Sequence, residues 1–331
     1  MSNLSRYDQN HTLKVGLVGT GYVAKLRAQT LQADERSQLV AVVGHTPAHS
    51  EEFSQKYLAS PMDSWEQLVE RPDLDLVIIS TINRDHGAIA RAALEADKHI
   101  VVEYPLALNP TEAEELIALS QAKGKLLHVE HLELLGGVHQ AMRQYLPKIG
   151  TPFYARYSTI SPQHPAPRKW TYHPDLFGFP LTGALSRLHR FTDLFGSVAT
   201  VSCQNRYWQS ESEVYTACLC TAHLRFSSGL VAEVTYGKGE TLWEQSRIFE
   251  VHGEQGALIF DGDEGMLVQG EEKTPIQVAS RRGLFAKDTG MVLDHLIEGT
   301  PLYVTPEASL YTLKVADAAR QSHETGQTIS F

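Results

Sequence analysis

A short apolar run that ends in two closely spaced glycines constrains this chain more than any other feature. Residues 13–18 (LKVGLV) are mostly apolar, and residues 19–24 (GTGYVA) follow directly. This order predicts a buried strand, a tight turn and a helix whose first amides bind a pyrophosphate, as in dinucleotide-binding domains. The residues expected to bind the cofactor at this turn are Gly19, Thr20, Gly21, Tyr22 and Val23.

The end of the second predicted strand bears on which dinucleotide is bound. Residues 38–43 (QLVAVV) form this strand, and an NAD site usually places an acid directly after it to bind the ribose hydroxyls. Here Gly44, His45 and Thr46 follow, and the first acid is Glu51. No carboxylate would repel a 2′-phosphate, and His45 and Thr46 could donate to it. We therefore expect NADPH, with NADH as the alternative; ordinary loop residues would look the same.

Strands and helices alternate through the first 130 or so residues, which predicts a doubly wound parallel sheet of the Rossmann type. Further strands are expected at residues 74–81, 99–103 and 125–129, and helices at residues 47–57 and 110–123. The carboxyl ends of such strands border the ligand crevice. Asn83 could instead cap its own helix. The residues expected at this edge beside the cofactor are Ser80, Thr81, Asn83, His86, Glu103 and Tyr104.

From about residue 151 the pattern changes to strands without intervening helices, which predicts a large antiparallel sheet. A proline-rich loop is expected at residues 161–180, and helices at residues 183–195, 284–298 and 306–325. The fold class is thus α/β plus α+β: an N-terminal Rossmann doubly wound parallel sheet and a C-terminal domain on a large antiparallel sheet. The expected domains are residues 1–132, which bind the dinucleotide, and 133–331, which bind substrate, with a C-terminal helix packing back on the first domain. The strands expected in the second domain are residues 153–160, 200–208, 214–226, 230–236, 249–252 and 257–260.

Composition narrows the possible partners. The chain has 29 Lys and Arg against 39 Asp and Glu, a formal net charge of −10, and no basic run, so nucleic acid is not expected as a partner. Residues 1–12 are polar, and no apolar run reaches membrane-spanning length. The three cysteines cannot supply a zinc quartet, and we expect them to be buried and reduced. A cytoplasmic monomer or small homo-oligomer is the expectation.

Three features together resemble the Gfo/Idh/MocA oxidoreductases, over the chain from about Lys14 to its end. These are the glycine turn, Glu103-Tyr104-Pro105 at the close of a strand, and the C-terminal antiparallel sheet. Most members of that family have Glu-Lys-Pro, whose lysine helps to polarise or deprotonate a substrate hydroxyl, and an Asp-x-Gly-x-His-x-x-Asp stretch. Here Tyr104 replaces the lysine, and residues 186–193 (SRLHRFTD) keep only the last Asp. The resemblance therefore implies an oxidoreductase that does not oxidise a sugar hydroxyl.

The departures themselves resemble the biliverdin reductases of that superfamily. Residues 102–106 (VEYPL), 127–135 (LHVEHLELL), 177–180 (FGFP) and 186–188 (SRL) occur in matching order and with similar spacing. The resemblance implies NAD(P)H-dependent reduction of biliverdin at its C10 methine bridge to bilirubin, with hydride from nicotinamide and a proton to a pyrrole nitrogen. The open alternatives are another oxidoreductase of the superfamily and a non-catalytic NADP-binding regulator.

The resemblance also implies roles for individual residues. The predicted catalytic residues are Arg187, Tyr104 and Glu130. Arg187 is expected to contact pyrrole nitrogens or lactam oxygens, although a guanidinium titrates too high to be a good proton donor at neutral pH. No metal is expected, because His128 and Glu130 share one strand face while His131 takes the other. The expected substrate-binding residues are His131, Phe177, Phe179, Arg187 and Arg190.

Each of these residues also has an ordinary structural explanation. Arg187 could form a surface salt bridge, and Tyr104 could simply pack against the end of its strand. Glu130 and His131 could begin a helix, and loop aromatics more often anchor a loop to the core.

Overall fold

The computed structural model describes residues 11–209 and 213–331, which form two compact units. The first unit contains the described residues up to Leu132 together with residues 282–310, and the second contains residues 133–281 and 311–331. Of the polar stretch at residues 1–12, residues 1–10 lie outside the described residues. Residues 282–310 thus belong with the first unit, whereas the sequence assigned them to the second domain.

The first unit is built on a parallel sheet with helices between its strands, as predicted for a doubly wound fold. A 3-10 turn at Asn83–Asp85 precedes its fourth helix. Its elements are β1 (Leu13–Val18), α1 (Tyr22–Ala33), β2 (Ser37–Val43), α2 (Pro47–Tyr57), β3 (Ser60–Pro61), α3 (Trp65–Val69), β4 (Leu76–Ile79), α4 (His86–Glu95), β5 (His99–Glu103), α5 (Pro110–Lys123) and β6 (Leu127–Glu130).

The strand order of this sheet places the dinucleotide-binding edge. The order is β3-β2-β1-β4-β5-β6, so it reverses between β1 and β4. All neighbouring strands run parallel, and their carboxyl ends therefore lie at one edge. Ligands of open α/β sheets bind at that edge, beside the point of reversal. The turn after β1 and the segments after β4 and β5 lie at this position.

Local sequence explains where the helices of the first unit begin and end. Helix α5 begins with Pro110, directly after Asn109, whose side chain caps the helix, and it ends at Gly124 in the left-handed conformation. Helix α2 begins in the same way, with Pro47 after the capping residue Thr46. Proline at the first helical position and glycine after the last are the expected punctuation. These helices accordingly match the predicted bounds.

The second unit is built on one large sheet with helices on it. Its elements are α6 (Leu132–Leu135, beginning at the last residue of the first unit), α7 (Gly137–Tyr145), β7 (Pro152–Pro162), α8 (Pro174–Phe177), α9 (Pro180–Gly183), α10 (Ser186–Phe195), β8 (Val198–Gln209), β9 (Tyr215–Phe226), β10 (Val231–Gly239), β11 (Ser246–Gly253), β12 (Gly256–Asp261), β13 (Glu264–Gln269) and β14 (Glu272–Ile276). The chain then forms α11 (Leu284–Glu298), which belongs to the first unit, followed by α12 (Pro306–Thr325) and β15 (Ile329–Ser330).

The nine strands of the second sheet are ordered β14-β13-β12-β11-β7-β10-β9-β8-β15. The predicted antiparallel sheet is confirmed, with one exception, because β7 and β10 run parallel. This pair arises because β7, the first strand of the unit, is inserted between β11 and β10. The sequence did not predict β13, β14 or β15, since β14 has a single buried residue and β15 is only two residues long.

Helix α10 packs on one face of this sheet through aromatic side chains. The Phe191 ring centroid lies 5.4 Å from that of Phe249 on β11, and the Phe195 centroid lies 5.7 Å from that of Phe226 on β9. The sequence predicted one helix over residues 183–195, whereas the helix in the structure, α10, begins only at Ser186 and the separate short helix α9 ends at Gly183. None of the described helices is both long enough and apolar enough to cross a lipid bilayer.

One buried cation interrupts the apolar packing of the first unit. Helix α11 packs against α1, whose buried residues are Ala24, Arg27, Ala28 and Leu31. Arg27 thus lies in an i, i+3, i+4, i+7 stripe that would ordinarily be apolar. The two helices contribute apolar side chains to the same core as the sheet, which on α11 are Val292, Leu293, Leu296 and Ile297.

Three side chains neutralise or bind Arg27. Its guanidinium donates to Asp288 on α11, to the Thr289 Oγ1 at 2.8 Å and to the Glu103 Oε1 at 3.1 Å. Burial alone would lower the pKa of Arg27, but the charges of Asp288 and Glu103 raise it above its ordinary value. Burial would likewise raise the pKa of Asp288, yet Arg27 and His128 hold it well below its usual range. Both groups therefore stay charged inside the protein.

We expect Arg27→Met to destabilise the first unit by about 3–5 kcal/mol, because it leaves the buried Asp288 and the half-buried Glu103 without their cation. Denaturant unfolding followed by circular dichroism measures the change. The control is Arg84→Met, which removes an exposed pair with Asp85 and should cost less than about 1 kcal/mol. Equal stability losses in the two variants would contradict the role given to Arg27.

Candidate active site

The turn between β1 and α1 has the backbone and the space that a pyrophosphate needs. Gly19 has a φ of +117°, and a Cβ added there would lie 2.1 Å from the Ser80 carbonyl oxygen, so only glycine fits. A Cβ added at Gly21 would meet nothing within 4 Å. Gly21 is the N-cap of α1, no side chain caps this helix, and its first turn has no acid. Its first amides are thus available to an anion, with Tyr22 exposed and Thr20 and Val23 half-buried beside them.

The segment after β2 carries no carboxylate, as its sequence indicated. His45 is exposed, and the Thr46 hydroxyl accepts from the His49 backbone N–H at 3.3 Å as the cap of α2. The same hydroxyl lies 3.0 Å from the His49 Nδ1. The Gly44 N–H donates to the Ser50 Oγ at 2.8 Å, which closes the turn. His45 and His49 are therefore exposed polar side chains here, while Thr46 also caps the helix.

The residues after β4 divide into accessible and buried groups. Ser80 and Thr81 are half-buried, and the buried Ser80 Oγ has no hydrogen-bond partner among the described residues. His86 is fully buried, with Nδ1 2.8 Å from the Pro105 carbonyl oxygen and Nε2 3.2 Å from that of Thr81. His86 therefore braces the loops after β4 and β5. Asn83 is buried at the start of the 3-10 turn and does not cap α4, whose N-cap is Asp85.

Two carboxyl groups meet at the ends of β5 and β6. Glu103 and Glu130 are register partners on these strands. Glu130 is 2% exposed and accepts from the Leu132 backbone N–H. Burial, the charge of Glu103 and a hydrogen bond to Glu103 raise the pKa of Glu130 well above its usual range. Glu130 therefore favours its protonated form more than an exposed carboxyl would, and it is hydrogen-bonded to Glu103.

Tyr104 occupies the position at which most members of the family have a lysine, and its ring stacks on a histidine ring. The Tyr104 and His131 ring centroids are 5.3 Å apart and their planes are 7° from parallel. His131 is fully buried, with its Nε2 2.8 Å from the Ser309 Oγ and its backbone N–H donating to the Tyr303 hydroxyl at 3.0 Å. Tyr303 donates in turn to the Asp288 carboxylate at 2.8 Å. His131 therefore supports the Tyr104 ring, and the charged network around Arg27 supports His131.

In the second unit, Arg187 lies at the start of α10 against the sheet. Its NH1 donates to the Ser186 Oγ at 2.8 Å and its Nε to the Thr159 Oγ1 at 3.4 Å. The guanidinium carbon lies 5.3 Å from the centroid of the Tyr236 ring. Arg187 is half-buried, and its contacts include two hydroxyls and an aromatic face. These contacts orient the guanidinium against the sheet.

Beside Arg187 lies a lysine that the sequence analysis did not single out. The Lys238 Nζ lies 4.1 Å from the Phe177 ring centroid and 4.5 Å from that of Tyr172, and it donates to the Thr171 carbonyl oxygen. Tyr215 and Tyr236 complete this aromatic box. Burial and, to a smaller extent, the charge of Arg187 lower the pKa of Lys238 to about 8, and Cys218 opposes this shift by raising the pKa.

The other substrate-binding candidates of the second unit occupy different places. Phe177 is buried in the aromatic box, where a Cβ added at Gly183 would lie 2.4 Å from its ring. Phe179 stacks on His323, with ring centroids 6.2 Å apart. Arg190 is buried one helical turn after Arg187, with its guanidinium carbon 5.6 Å from the Tyr157 ring centroid. The structure thus brings Phe177 to Lys238, beside Arg187, places Arg190 one helical turn from Arg187, and places Phe179 against His323.

The groups that sequence analysis missed share one signal, a charged residue in an apolar pattern. Arg27 lies in the buried stripe of α1, and Asp288 lies in the equivalent stripe of α11. On β10, alternate residues from Ala232 to Tyr236 are buried, and Lys238 continues the same face. The predicted strand ended at Tyr236, so the lysine was left outside it. An interrupted stripe would have identified all three groups.

Comparison with known proteins assigns the family. Residues 13–131 match the model "Oxidoreductase family, NAD-binding Rossmann fold" of the Gfo/Idh/MocA family, and residues 147–331 match its "C-terminal alpha/beta domain". The chain belongs to the Gfo/Idh/MocA oxidoreductase family. The resemblance recognised in the sequence is therefore confirmed, including an NAD(P)-dependent oxidoreductase fold in two parts.

Within that family the chain is similar to biliverdin reductases. A crystal structure of biliverdin reductase in complex with biliverdin and NADP+ from Synechocystis sp. PCC 6803 is 56% identical, with a TM-score of 0.93, over 94% of this chain and 99% of that one. Biliverdin reductase A of Mus musculus is 29% identical over 57% of this chain and 60% of that protein. The alignment thus spans less than two thirds of this curated relative. Levoglucosan dehydrogenase, at 18% identity and a TM-score of 0.84, shares the fold.

The pKa of Glu130 predicts a pH-dependent effect of Glu130→Gln. The folded protein keeps the Glu130 proton at pH values where the unfolded chain, with a pKa of 4.5, has lost it. Wild-type stability therefore falls, relative to the variant, as pH rises above 4.5, by up to about 1.4 kcal/mol per pH unit. Urea unfolding at several pH values between 4 and 8 measures this difference.

The matched control for this pH series is Glu35→Gln at an exposed position of the first unit. Its stability difference from wild type should stay nearly constant over the same range, since the substitution is at an exposed position away from Glu130. A constant difference for Glu130→Gln as well would show that Glu130 is ionised in the folded protein.

Proposed function

We propose that this chain is an NADPH-dependent biliverdin reductase. It reduces biliverdin at the C10 methine bridge to bilirubin, with hydride delivered to C10 and a proton to a pyrrole nitrogen. The observation that carries the proposal is the 56% identity, over 94% of the chain, with an enzyme crystallised with biliverdin and NADP+. The site residues support it, because the side chain at the usual lysine position is Tyr104, which rests on His131.

The cofactor-binding residues follow from the edge of the first sheet. Nicotinamide, when bound, supplies the hydride. Gly19, Gly21 and the free amides of α1 fit the pyrophosphate, with Thr20, Tyr22 and Val23 around it. His45 and Thr46 take the 2′-phosphate, and NADH is the weaker alternative because no acid follows β2. Toward the nicotinamide ribose, the proposed contacts are Ser80, Thr81, Asn83, Glu103 and Tyr104, and His86 holds their loops.

The residues at the ends of β5 and β6 are proposed to supply the proton. Reduction of a conjugated bilin requires no deprotonation of a hydroxyl, so a lysine base is unnecessary. The raised pKa of Glu130 favours its protonated form, and Glu130 is hydrogen-bonded to Glu103, which adjoins Tyr104 in the chain. The Tyr104 hydroxyl can donate a hydrogen bond to the bilin. Glu130 is therefore the proposed proton reserve, and Tyr104 is the proposed contact with the substrate.

The second unit supplies positive charge for the anionic substrate. Biliverdin carries two propionates, and negative charge develops on the pyrrole system as hydride adds. Arg187, oriented by Ser186, Thr159 and Tyr236, stabilises that charge. Lys238 adds a second cation beside it. Arg190 is proposed to bind a propionate, and Phe177 and Phe179 shape the bilin surface, while His131 acts through the Tyr104 ring.

The proposal includes a location in a reducing compartment of the cell. Cys203, Cys218 and Cys220 are free and buried, which supports a reducing compartment such as the cytoplasm. A monomer or small homo-oligomer needs no further partner than biliverdin and the cofactor.

The direct test is to mix the purified protein with NADPH and biliverdin. The long-wavelength bilin band should disappear while a blue-absorbing product grows, and NADPH should support a higher kcat/KM than NADH. Anaerobic spectra and product chromatography identify bilirubin. Binding of NADPH without any change in the bilin spectrum would contradict the proposal and favour a non-catalytic cofactor-binding regulator.

We expect Arg187→Ala to lower kcat by about 100-fold, as for the loss of one preorganised electrostatic group. The affinity for NADPH, measured by its fluorescence, should not change, because Arg187 belongs to the second unit. Arg225→Ala, at an exposed position of the same unit, is the matched control and should keep the wild-type kcat. A wild-type kcat for Arg187→Ala would remove this residue from the mechanism.

A further inference from the structure

The second unit contains a half-open pocket with three arginines around an aromatic floor. It encloses about 340 Å³, including space open to solvent. The arginines come from α10, β11 and the segment after β14, and the aromatic residues come from β7, β11 and β12. The residues that define this arginine pocket are Arg190, Arg247, Arg281, Tyr157, Phe249 and Phe260.

Close backbone packing builds the wall of the arginine pocket. A Cβ added at Gly137 would lie 2.1 Å from the Ala279 carbonyl oxygen, so the start of α7 and residues 279–281 meet without side chains between them. This approach brings Arg281 to the pocket. On another side, the Gly262 N–H donates to the Arg247 carbonyl oxygen at 2.9 Å and closes the turn after β12. Backbone contacts thus fix the segments that carry Arg281 and Arg247.

Arg190 is the buried cation of the arginine pocket. It is 7% exposed, and its NH1 has no hydrogen-bond partner among the described residues. Its guanidinium carbon lies over the Tyr157 ring at 5.6 Å, a contact with a neutral face. A buried charged donor without an acceptor is costly, and an anion bound in the pocket would satisfy it.

The charges around the arginine pocket are unequal. Arg247 pairs with the Asp263 carboxylate at 2.6 Å. Neither Arg190 nor Arg281 has an ion-pair partner among the residues that the structure describes, and Arg281 is exposed. Two of the three guanidiniums are therefore available, and guanidinium groups bind carboxylate and phosphate oxygens in pairs.

We propose that the arginine pocket is a binding site for an oxyanion, a carboxylate or phosphate group, held by Arg190 and Arg281. It is distinct from the position of Arg187, although the two sites adjoin. Arg187 and Arg190 are one helical turn apart on α10, and their respective contacts Thr159 and Tyr157 are two residues apart on the same face of β7. A bilin whose pyrrole nitrogens meet Arg187 could place a propionate in the arginine pocket.

The site is tested without any bilin, by titrating the protein with inorganic phosphate in the presence of saturating NADP+, which occupies the other phosphate-binding position. The thermal midpoint of the wild type should rise saturably with phosphate, compared with chloride at equal ionic strength. Arg281→Gln, an exposed substitution, should weaken the apparent phosphate affinity about tenfold. Arg225→Gln, which removes the same charge elsewhere in the unit, should not change it. Absence of saturable stabilisation, or equal stabilisation in all three proteins, would overturn the proposal.

A competition arm, which rests on the proposed function, identifies the source of the oxyanion. If biliverdin displaces phosphate and its dimethyl ester does not, the pocket takes a propionate of the substrate, and Arg281→Gln should raise KM for biliverdin with little effect on kcat. If neither compound displaces phosphate, the pocket serves a free phosphate or a phosphate-bearing molecule. The phosphate titration stands in either case, so failure of bilin turnover is distinguishable from failure of the pocket.

Discussion

The first unit depends on one buried arginine and the carboxylates that neutralise it. Arg27 on α1 joins Asp288 on α11 and Glu103 at the end of β5, so one cation ties together two helices and the sheet edge. A buried ion pair is stabilising only when its geometry is good and its remaining hydrogen bonds are satisfied. Here Asp288 also accepts from His128 and Tyr303, each at 2.8 Å. The network therefore serves mainly to fix the relative positions of α1, α11 and the end of β5, and less to add stability.

The chemistry at the end of β5 follows from that network along two short paths. Arg27 holds Glu103 in place, and burial together with the charge of Glu103 and its hydrogen bond raises the pKa of Glu130. Through Asp288 and Tyr303, the network supports the backbone of His131, whose ring stacks on Tyr104. The position of Glu103 beside Glu130 and the orientation of the Tyr104 ring thus both depend on the buried network. In the second unit, by contrast, aromatic faces surround the cations Arg187, Lys238 and Arg190. Such faces stabilise charge without cancelling it, which suits a site for an anionic substrate.

Several elements of the fold could be predicted because their signals are local. The glycine turn after β1, helices α2, α5, α11 and α12, and most strands of the second sheet followed from spacing, caps and alternation. The parallel pairing of β7 with β10 could not, since pairing depends on which strands meet in space. The structural roles of His86 and His131 could not be predicted from the sequence either. Both were expected near a ligand, and the structure encloses them completely and uses them as supports.

The sequence by itself determined the family, the dinucleotide-binding edge and the replacement of the usual lysine by Tyr104. These conclusions depend on short motifs whose residues are neighbours in the chain, so the motifs can be recognised from the sequence alone. Only the tertiary structure decided that the pKa of Glu130 is raised, that Lys238 lies beside Arg187 and that Arg190 lines a pocket with Arg247 and Arg281. The physical reason is that ionisation and charge pairing depend on burial and on partners distant in sequence. Arg27 and Asp288, 261 residues apart, are the clearest example.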